Sequence, residues 1–290
     1  MRKFLKKIMM AAVFFPTLVV GMYFVLHYIT MKTNTFDENT VFVWGDSQMY
    51  LDFDVELLSE KFEKTVLTSA TGGSGVYDFL VSEKNIPNNA MCVVSFPEGA
   101  LLRNPISDYN RTGFELSCLQ LLFRAGCPLD ECLRIANLNR QNVHYKAFDK
   151  NHNLCPYSDN IVYLEPLAVF CGMFIEERDY FIWKAKTYHQ GISRLSKKHV
   201  QMILLQFPFE QQVEDCACNS INRHLTDSLK FDLIKEYDMK HDTIVLRSDS
   251  LLMHDLSHMN EVGARMLTCR IADSLRKDTI NNRFFTVVIE

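Results

Sequence analysis

What this chain has little of narrows it first. Glycine is scarce, at 11 of 290 residues, as are proline, at 8, and tryptophan, at 2. There is no low-complexity tract, no collagen-like period and no internal repeat, so the sequence is globular in kind. An excess of positive charge is also lacking. The formal net charge is −4, which leaves no basic stripe to neutralise phosphates and argues against a nucleic-acid partner. The local basic run Arg194–Lys198 is expected to be one solvated helix face. Nine cysteines are present, but no pair of CxxC motifs, so the spacing of a zinc site is missing. Cys216 and Cys218 read as a surface loop, and Cys92, inside an apolar run, as core. The glycine cluster Gly72-Gly73-Ser74-Gly75 lacks the Lys-Ser/Thr ending of a phosphate-binding loop.

One long hydrophobic run is present, at residues 8–29, free of Asp, Glu, Lys and Arg. At 1.5 Å per residue it is long enough for the roughly 30 Å hydrocarbon layer. Arg2, Lys3, Lys6 and Lys7 precede it and only Lys32 follows closely. The positive-inside rule then keeps residues 1–7 cytoplasmic and sends the rest outward. The run exceeds the 7–15 residues of a signal h-region, and no A-x-A cleavage site follows it. The expectation is therefore an uncleaved single-pass anchor. A polar linker, 30–39, and an extracytoplasmic domain, 40–290, follow.

In that domain, Thr40–Trp44 reads as a buried strand. Gly45-Asp46-Ser47 breaks it and residues 48–61 read as a helix. Lys64–Ser69 is a second strand, Val76–Glu83 a helix and Met91–Phe96 a third strand. Alternation of this kind specifies an α/β fold with a parallel sheet. From about 97 to 190 the pattern loosens, with helices expected at 112–125 and 128–139, and this stretch reads as an insertion. Alternation returns with a strand at 199–207, ended by Pro208, a helix at 220–237 and a strand at 243–247. A helix at 261–277 and a last strand at 283–289, expected at an edge, close the chain.

Two segments carry chemistry. Ser47 stands at the carboxyl end of the first strand, where side chains of open α/β sheets face the ligand crevice. Asp255 precedes His258 by three residues, just before the last helix, whose start Asn260 is expected to cap. A histidine held by a carboxylate can take a serine proton, with the carboxylate fixing the tautomer. Asp46 is expected to bond the N–H groups of its own turn. Gln48 and Glu98 are expected at the crevice as candidate substrate contacts, with Asn104 close by. His254 is expected to play a surface or supporting role.

The Gly45-Asp46-Ser47 block near the start and the Asp255–His258 block near the end resemble the GDSL/SGNH hydrolase superfamily, in its membrane-anchored acyltransferase-like branch. The resemblance covers roughly residues 40–96 and 199–277. It implies a flavodoxin-like three-layer α/β/α sandwich. It also implies Ser47 as nucleophile, His258 as base and Asp255 as its orienter. The oxyanion hole would use the N–H of Ser47 and that of a glycine after the second strand, Gly72 or Gly73, with Gly73 preferred. The family's third block, Gly-x-Asn-Asp, has no counterpart at Ser95-Phe96-Pro97-Glu98-Gly99. The implied activity is acyl transfer or ester cleavage, most plausibly of O-acetyl groups on a cell-surface polysaccharide, with no metal or cofactor. A multi-pass membrane O-acyltransferase is the implied partner. The alternative is a non-catalytic binding or assembly module on the same fold.

Overall fold

The computed structural model describes residues 39–72, 74–102, 115–139, 148, 153–162, 167, 178–214, 217–248, 251–277 and 282–290, with a few positions between 14 and 22. The chain divides into two compact units, Met1–Glu38 and Asn39–Glu290. The span expected at 8–29 lies almost wholly outside the described residues. Among those residues no helix is long and apolar enough to cross a membrane.

The second unit is an α/β sandwich on one sheet. Its strands are β1 (Thr40–Trp44), β2 (Thr65–Thr68), β3 (Met91–Ser95), β4 (Gln201–Gln206), β5 (Lys240–Leu246) and β6 (Arg283–Ile289). They lie in the order β2-β1-β3-β4-β6-β5, and every pairing is parallel. Buried parallel strands need continuous apolar runs. β1, with all five residues buried, and β4, with four central ones buried, are such runs. The outer strands β2 and β5 alternate with exposed positions.

The last strand is not at an edge. β6 pairs with β4 on one side, Leu204 beside Phe284, and with β5 on the other, Lys240 beside Arg283. The reason lies in Phe284 and Phe285, which point to opposite faces and are both fully buried. An interior strand of a sheet covered on both faces suits such a pair. β5, which begins Lys240-His241-Asp242, takes the edge, where charge is tolerated and discourages further pairing.

Helices cover the sheet according to the two-residue period of the strands. Val41, Val43, Val93, Ile203, Leu205 and Phe285 pack with Met49, Phe53 and Leu58 and with Leu267 and Ile271. These come from α1 (Ser47–Leu51), α2 (Val55–Phe62), the turn between them, and a C-terminal helix, Glu261–Lys277. One helix was expected over 48–61; two form. Asp54 leaves the helix and caps α2, accepting from Leu57 N–H at 2.9 Å, while its own N–H donates to Thr268 Oγ1 at 3.0 Å. Aspartates compete with helical backbone and favour this cap position.

The other aromatic cluster is built from Trp44, Phe79, Tyr188 and Phe96, with ring centroids 4.5 Å apart for Trp44–Phe79 and 5.2 Å for Phe79–Tyr188. Phe79 lies on α3 (Val76–Glu83). Then come α4 (Glu98–Leu102), α5 (Leu116–Ala125) and α6 (Leu129–Asn139). Tyr188 belongs to α7 (Arg178–Lys197), which packs on α3 and α5. α7 runs across residue 190, where the irregular stretch was expected to end, and so joins that stretch to the layer. Beyond β4 follow α8 (Gln211–Glu214) and α9 (Ala217–Glu236), and the C-terminal helix Glu261–Lys277 is α10.

Arg194 and Lys198 do not form a solvated face. Arg194 Nη1 meets Glu83 Oε1 at 2.6 Å and Lys198 Nζ meets Glu83 Oε2 at 3.1 Å, with the Glu83 side chain only 1% exposed. A buried carboxylate left without cations would be strongly destabilising. Cys92 is core, as expected. The cysteines among the described side chains, Cys92, Cys118, Cys127, Cys132, Cys155 and Cys269, are free thiols.

The contact of α7 with α3 depends on Gly191. A Cβ there would fall 2.4 Å from Phe79 Cε1. Gly191→Ala is expected to lower stability by about 1–3 kcal/mol, the usual range for overpacking. Adding Phe79→Leu should recover part of the loss. Urea unfolding of both single variants and the double variant measures this coupling.

Candidate active site

The site begins where β1 ends. After Trp44 the chain must turn at once, because α1 starts at Ser47. A Cβ on Gly45 would lie 2.2 Å from Met49 Cβ and 2.8 Å from Ser95 Cβ, so only glycine lets the turn close against both α1 and the end of β3. Ser47 is half-buried at the start of α1. It stands at the carboxyl end of β1, beside β3, on the side of the sheet where the strand order reverses between β2-β1 and β1-β3. In doubly wound sheets this switch point is the ligand crevice.

Asp46 makes no side-chain cap bond to α1. Its Oδ1 instead accepts from Ser95 Oγ at 3.4 Å, across to β3. The loop after β2 closes on the same turn: Ser69 N–H donates to Val43 O at 2.8 Å and Thr71 N–H to Gly45 O at 3.2 Å. Gly72 follows, and a Cβ on it would lie 4.0 Å from the Ser47 Cβ. Gly73 and Asn104 lie outside the described residues.

The second half is a tight loop between β5 and α10. Asp255 Oδ1 accepts the N–H groups of Ser257 and His258, at 2.7 and 2.8 Å. Its Oδ2 accepts from His258 Nδ1 at 2.8 Å. That bond assigns the Nδ1–H tautomer and leaves Nε2 as the basic nitrogen. His258 Nε2 is buried and has no hydrogen-bond partner. His254 N–H and Asp255 N–H both donate to His258 O, at 2.7 and 3.2 Å, which folds the loop back on itself. Asn260 caps α10 as expected, its Oδ1 accepting from Val262 and Gly263 N–H at 3.0 and 3.1 Å. His254 turns to the surface side, with Nδ1 3.2 Å from Pro156 O.

Two side chains of the α1 segment hold these halves together. Gln48 donates its amide to Ser257 O at 3.0 Å and to Pro208 O at 3.3 Å. Asp52 Oδ1 accepts the Met259 N–H at 2.9 Å. Both amide hydrogens of Gln48 are thus used on backbone carbonyls. The residues next in sequence to Ser47 and to His258 are therefore in direct contact. Asp52 was not singled out in the sequence. Its only signal is its position four residues after Gln48, one helical turn along.

Glu98 is buried and committed elsewhere. Its carboxylate accepts from Gln206 Nε2 at 3.1 Å and Thr226 Oγ1 at 3.0 Å. It lines a cavity of about 490 Å³ at the ends of β4 and β6, together with Phe207, Lys230, Leu252 and Met253. Ser47 and His258 do not line that cavity.

The electrostatics follow from burial and pairing. Burial alone would raise the Asp255 carboxyl; the His258 imidazole and the Ser257 and His258 N–H groups outweigh it and hold the carboxyl below its ordinary range. Asp52 goes the other way. Full burial pushes it well up, against the Met259 N–H, and Asp255 and Asp46 add to the rise. The arrangement orients the imidazole for use as a base, with Nε2 free of any hydrogen bond, one to Ser47 Oγ included.

The chain matches no protein-family model and no curated protein.

The Asp255 shift has a pH signature. A carboxyl depressed in the folded state contributes stability that is complete above its unfolded value, about 3.9, and is lost as pH falls through the folded one. The stability gap between the unaltered chain and Asp255→Asn should therefore be widest near neutral pH and shrink below about pH 4. Urea titrations between pH 7 and 3 check this.

Proposed function

We propose that this chain is a serine acyl-transfer protein of the GDSL/SGNH kind, with Ser47 as nucleophile, His258 as general base and Asp255 as its orienter. The observation that carries the reading is the buried, unpartnered His258 Nε2, its other nitrogen fixed on Asp255, on a loop bonded to the residue after Ser47. Unpaired buried polar atoms are uncommon and destabilising. A nitrogen kept free for a serine proton accounts for this one.

The chemistry runs as follows. Ser47 Oγ attacks the carbonyl carbon of an acyl ester, and its proton passes to His258 Nε2. Asp255 stabilises the imidazolium. The carbonyl oxygen gains the negative charge, which the N–H groups of Ser47 and Gly73 would receive by the resemblance to that superfamily. Collapse expels the alcohol, which takes the proton from His258, and leaves an acyl-serine. A second hydroxyl, of a sugar or of water, then repeats the cycle in reverse and carries the acyl group away. The route requires no metal or bound cofactor.

The substrate in this reading is an O-acetylated cell-surface polysaccharide, worked on by an extracytoplasmic domain behind an N-terminal anchor at 8–29, with the N-terminus cytoplasmic. A multi-pass membrane O-acyltransferase would supply the acyl group. This reading carries with it a flavodoxin-like three-layer sandwich. The order β2-β1-β3-β4 agrees with the opening of that fold's order, 2-1-3-4-5; β6, between β4 and β5, is an addition to it.

A second reading rests on a specific observation. The segment after β3 carries no Gly-x-Asn-Asp, and its Glu98 is bonded to Gln206 and Thr226. An oxyanion-hole donor is worth about 2.7–4 kcal/mol. A chain lacking it would be a non-catalytic binding or assembly module of a glycan-modification system.

A fluorophosphonate probe and a generic acetyl ester separate the two. The unaltered chain should be labelled at Ser47 and cleave the ester. Ser47→Ala and His258→Ala should each lose on the order of 10⁴-fold or more in rate. Unlabelled Ser47, with ester turnover equal in all three proteins, would establish the non-catalytic reading. Release of acetate to water against capture by added glycan then distinguishes esterase from transferase.

A further inference from the structure

The side chains that join α1 to the base loop do so on both sides of one residue. Gln48 binds the carbonyl of Ser257 and Asp52 binds the N–H of Met259; the residue between is His258. Gln48 and Asp52 are four apart, and Asp52 N–H donates to Gln48 O at 2.7 Å, so the helical turn continues through both. Side chains at this spacing share a helix face. Ser47 begins the same helix.

We infer that Gln48 and Asp52 are positioning residues, a two-point clamp that sets His258 Nε2 against Ser47 by pinning the backbone on either side of His258. The inference rests on the Ser47–His258–Asp255 reading for its catalytic meaning.

Burial argues that the clamp is more than incidental surface bonding. Gln48 is 4% exposed and Asp52 is fully buried. Asp52 Oδ2 has no hydrogen-bond partner. A buried carboxyl with one idle oxygen destabilises a fold relative to a well-packed apolar side chain. What it provides in return is an acceptor at the Met259 N–H. Charge is arranged to suit. Asp46, Asp255 and the Cys155 thiol are the titratable groups that act electrostatically on or with Asp52. Burial beside two further carboxyls favours the protonated form of Asp52, so the clamp adds little negative charge next to the Asp255–His258 pair. Gln48 also reaches Pro208 O, and Glu210 N–H donates to Leu256 O at 3.0 Å. The segment after β4 therefore braces the same loop from a third side.

The test uses the full chain in detergent. Labelling of Ser47 by the fluorophosphonate is followed with time, together with kcat and KM for the acetyl ester and with amide hydrogen exchange of residues 252–260. Gln48→Ala and Asp52→Ala should each slow labelling and lower kcat by about 10- to 100-fold, as expected for misplacement of a catalytic group by about 1 Å. KM should stay within about threefold, since the amide of Gln48, expected from the sequence to meet the substrate, is instead used on the Ser257 and Pro208 carbonyls and Asp52 is fully buried, and exchange in 252–260 should rise. Asp52→Asn keeps an acceptor oxygen and should hold labelling within about threefold of the unaltered chain, with an unshifted pH midpoint because burial already disfavours the charged form of Asp52. Gln48→Met, equal in length but unable to donate, should behave like Gln48→Ala. Unchanged labelling and exchange in Gln48→Ala and Asp52→Ala would overturn the clamp. A rise in KM alone would make Gln48 a substrate contact instead. A shifted midpoint in Asp52→Asn would show an ionised Asp52 acting through charge. Failure of the unaltered chain to label would count against the serine reading, and the exchange of 252–260 in the variants would then decide the clamp by itself.

Discussion

Position 45 has no room for a side chain. Met49, on the first turn of α1, and Ser95, at the end of β3, approach so closely that a single added carbon would overlap both. The closeness forces the chain to reverse within two residues of β1, which places Ser47 at the mouth of the sheet and α1 directly over the β1–β3 boundary. Everything else in the site is referred to that short helix. The loop after β2 bonds to Gly45 O, and the Asp255–His258 loop bonds to Gln48 and Asp52.

The Asp255–His258 loop is held in shape for a different reason. Asp255 accepts two backbone N–H groups and one imidazole N–H within four residues. Charge-assisted bonds of this kind are roughly twice as strong as neutral ones, and in a half-buried setting they are weakly screened. They hold the imidazole in one tautomer and the loop in one shape. Two stiff pieces, each internally determined, then need only a small number of mutual contacts to be placed relative to one another. Gln48 and Asp52 make those contacts on either side of His258.

Parts of this were readable from residues alone. β1, α3, α10 and β6 begin and end where their apolar patterns and caps say, since each is a run whose period is undisturbed. The break at Asp52–Asp54 was not readable, because Met49, Phe53, Leu57, Leu58 and Phe62 keep a helical spacing through it; Asp54 capping and the Thr268 contact decide the break, and Thr268 is more than two hundred residues away in sequence. Before its basic end at Arg194–Lys198, α7 was not legible in the sequence, because its buried face is spoiled by polar residues such as Lys184, which is 1% exposed. The pairing of Glu83 with Arg194 and Lys198 was hidden for the same reason: a basic run looks solvated until its carboxylate is known.

The sequence by itself determined the local chemistry: a glycine-limited turn before Ser47, a carboxylate three residues before a histidine, a strand-helix alternation that runs parallel. The Gly45–Met49 contact and the Asp255–His258 bond act within a few residues and do not wait for the fold, whereas the Ser95 contact at Gly45 comes with the pairing of β1 and β3. Only the tertiary structure decided the strand order, the interior place of β6 and the use of Gln48 and Asp52. Those are set by which surfaces must be buried together, as Phe284 and Phe285 must be on opposite faces of one sheet, and by hydrogen bonds between segments some two hundred residues apart.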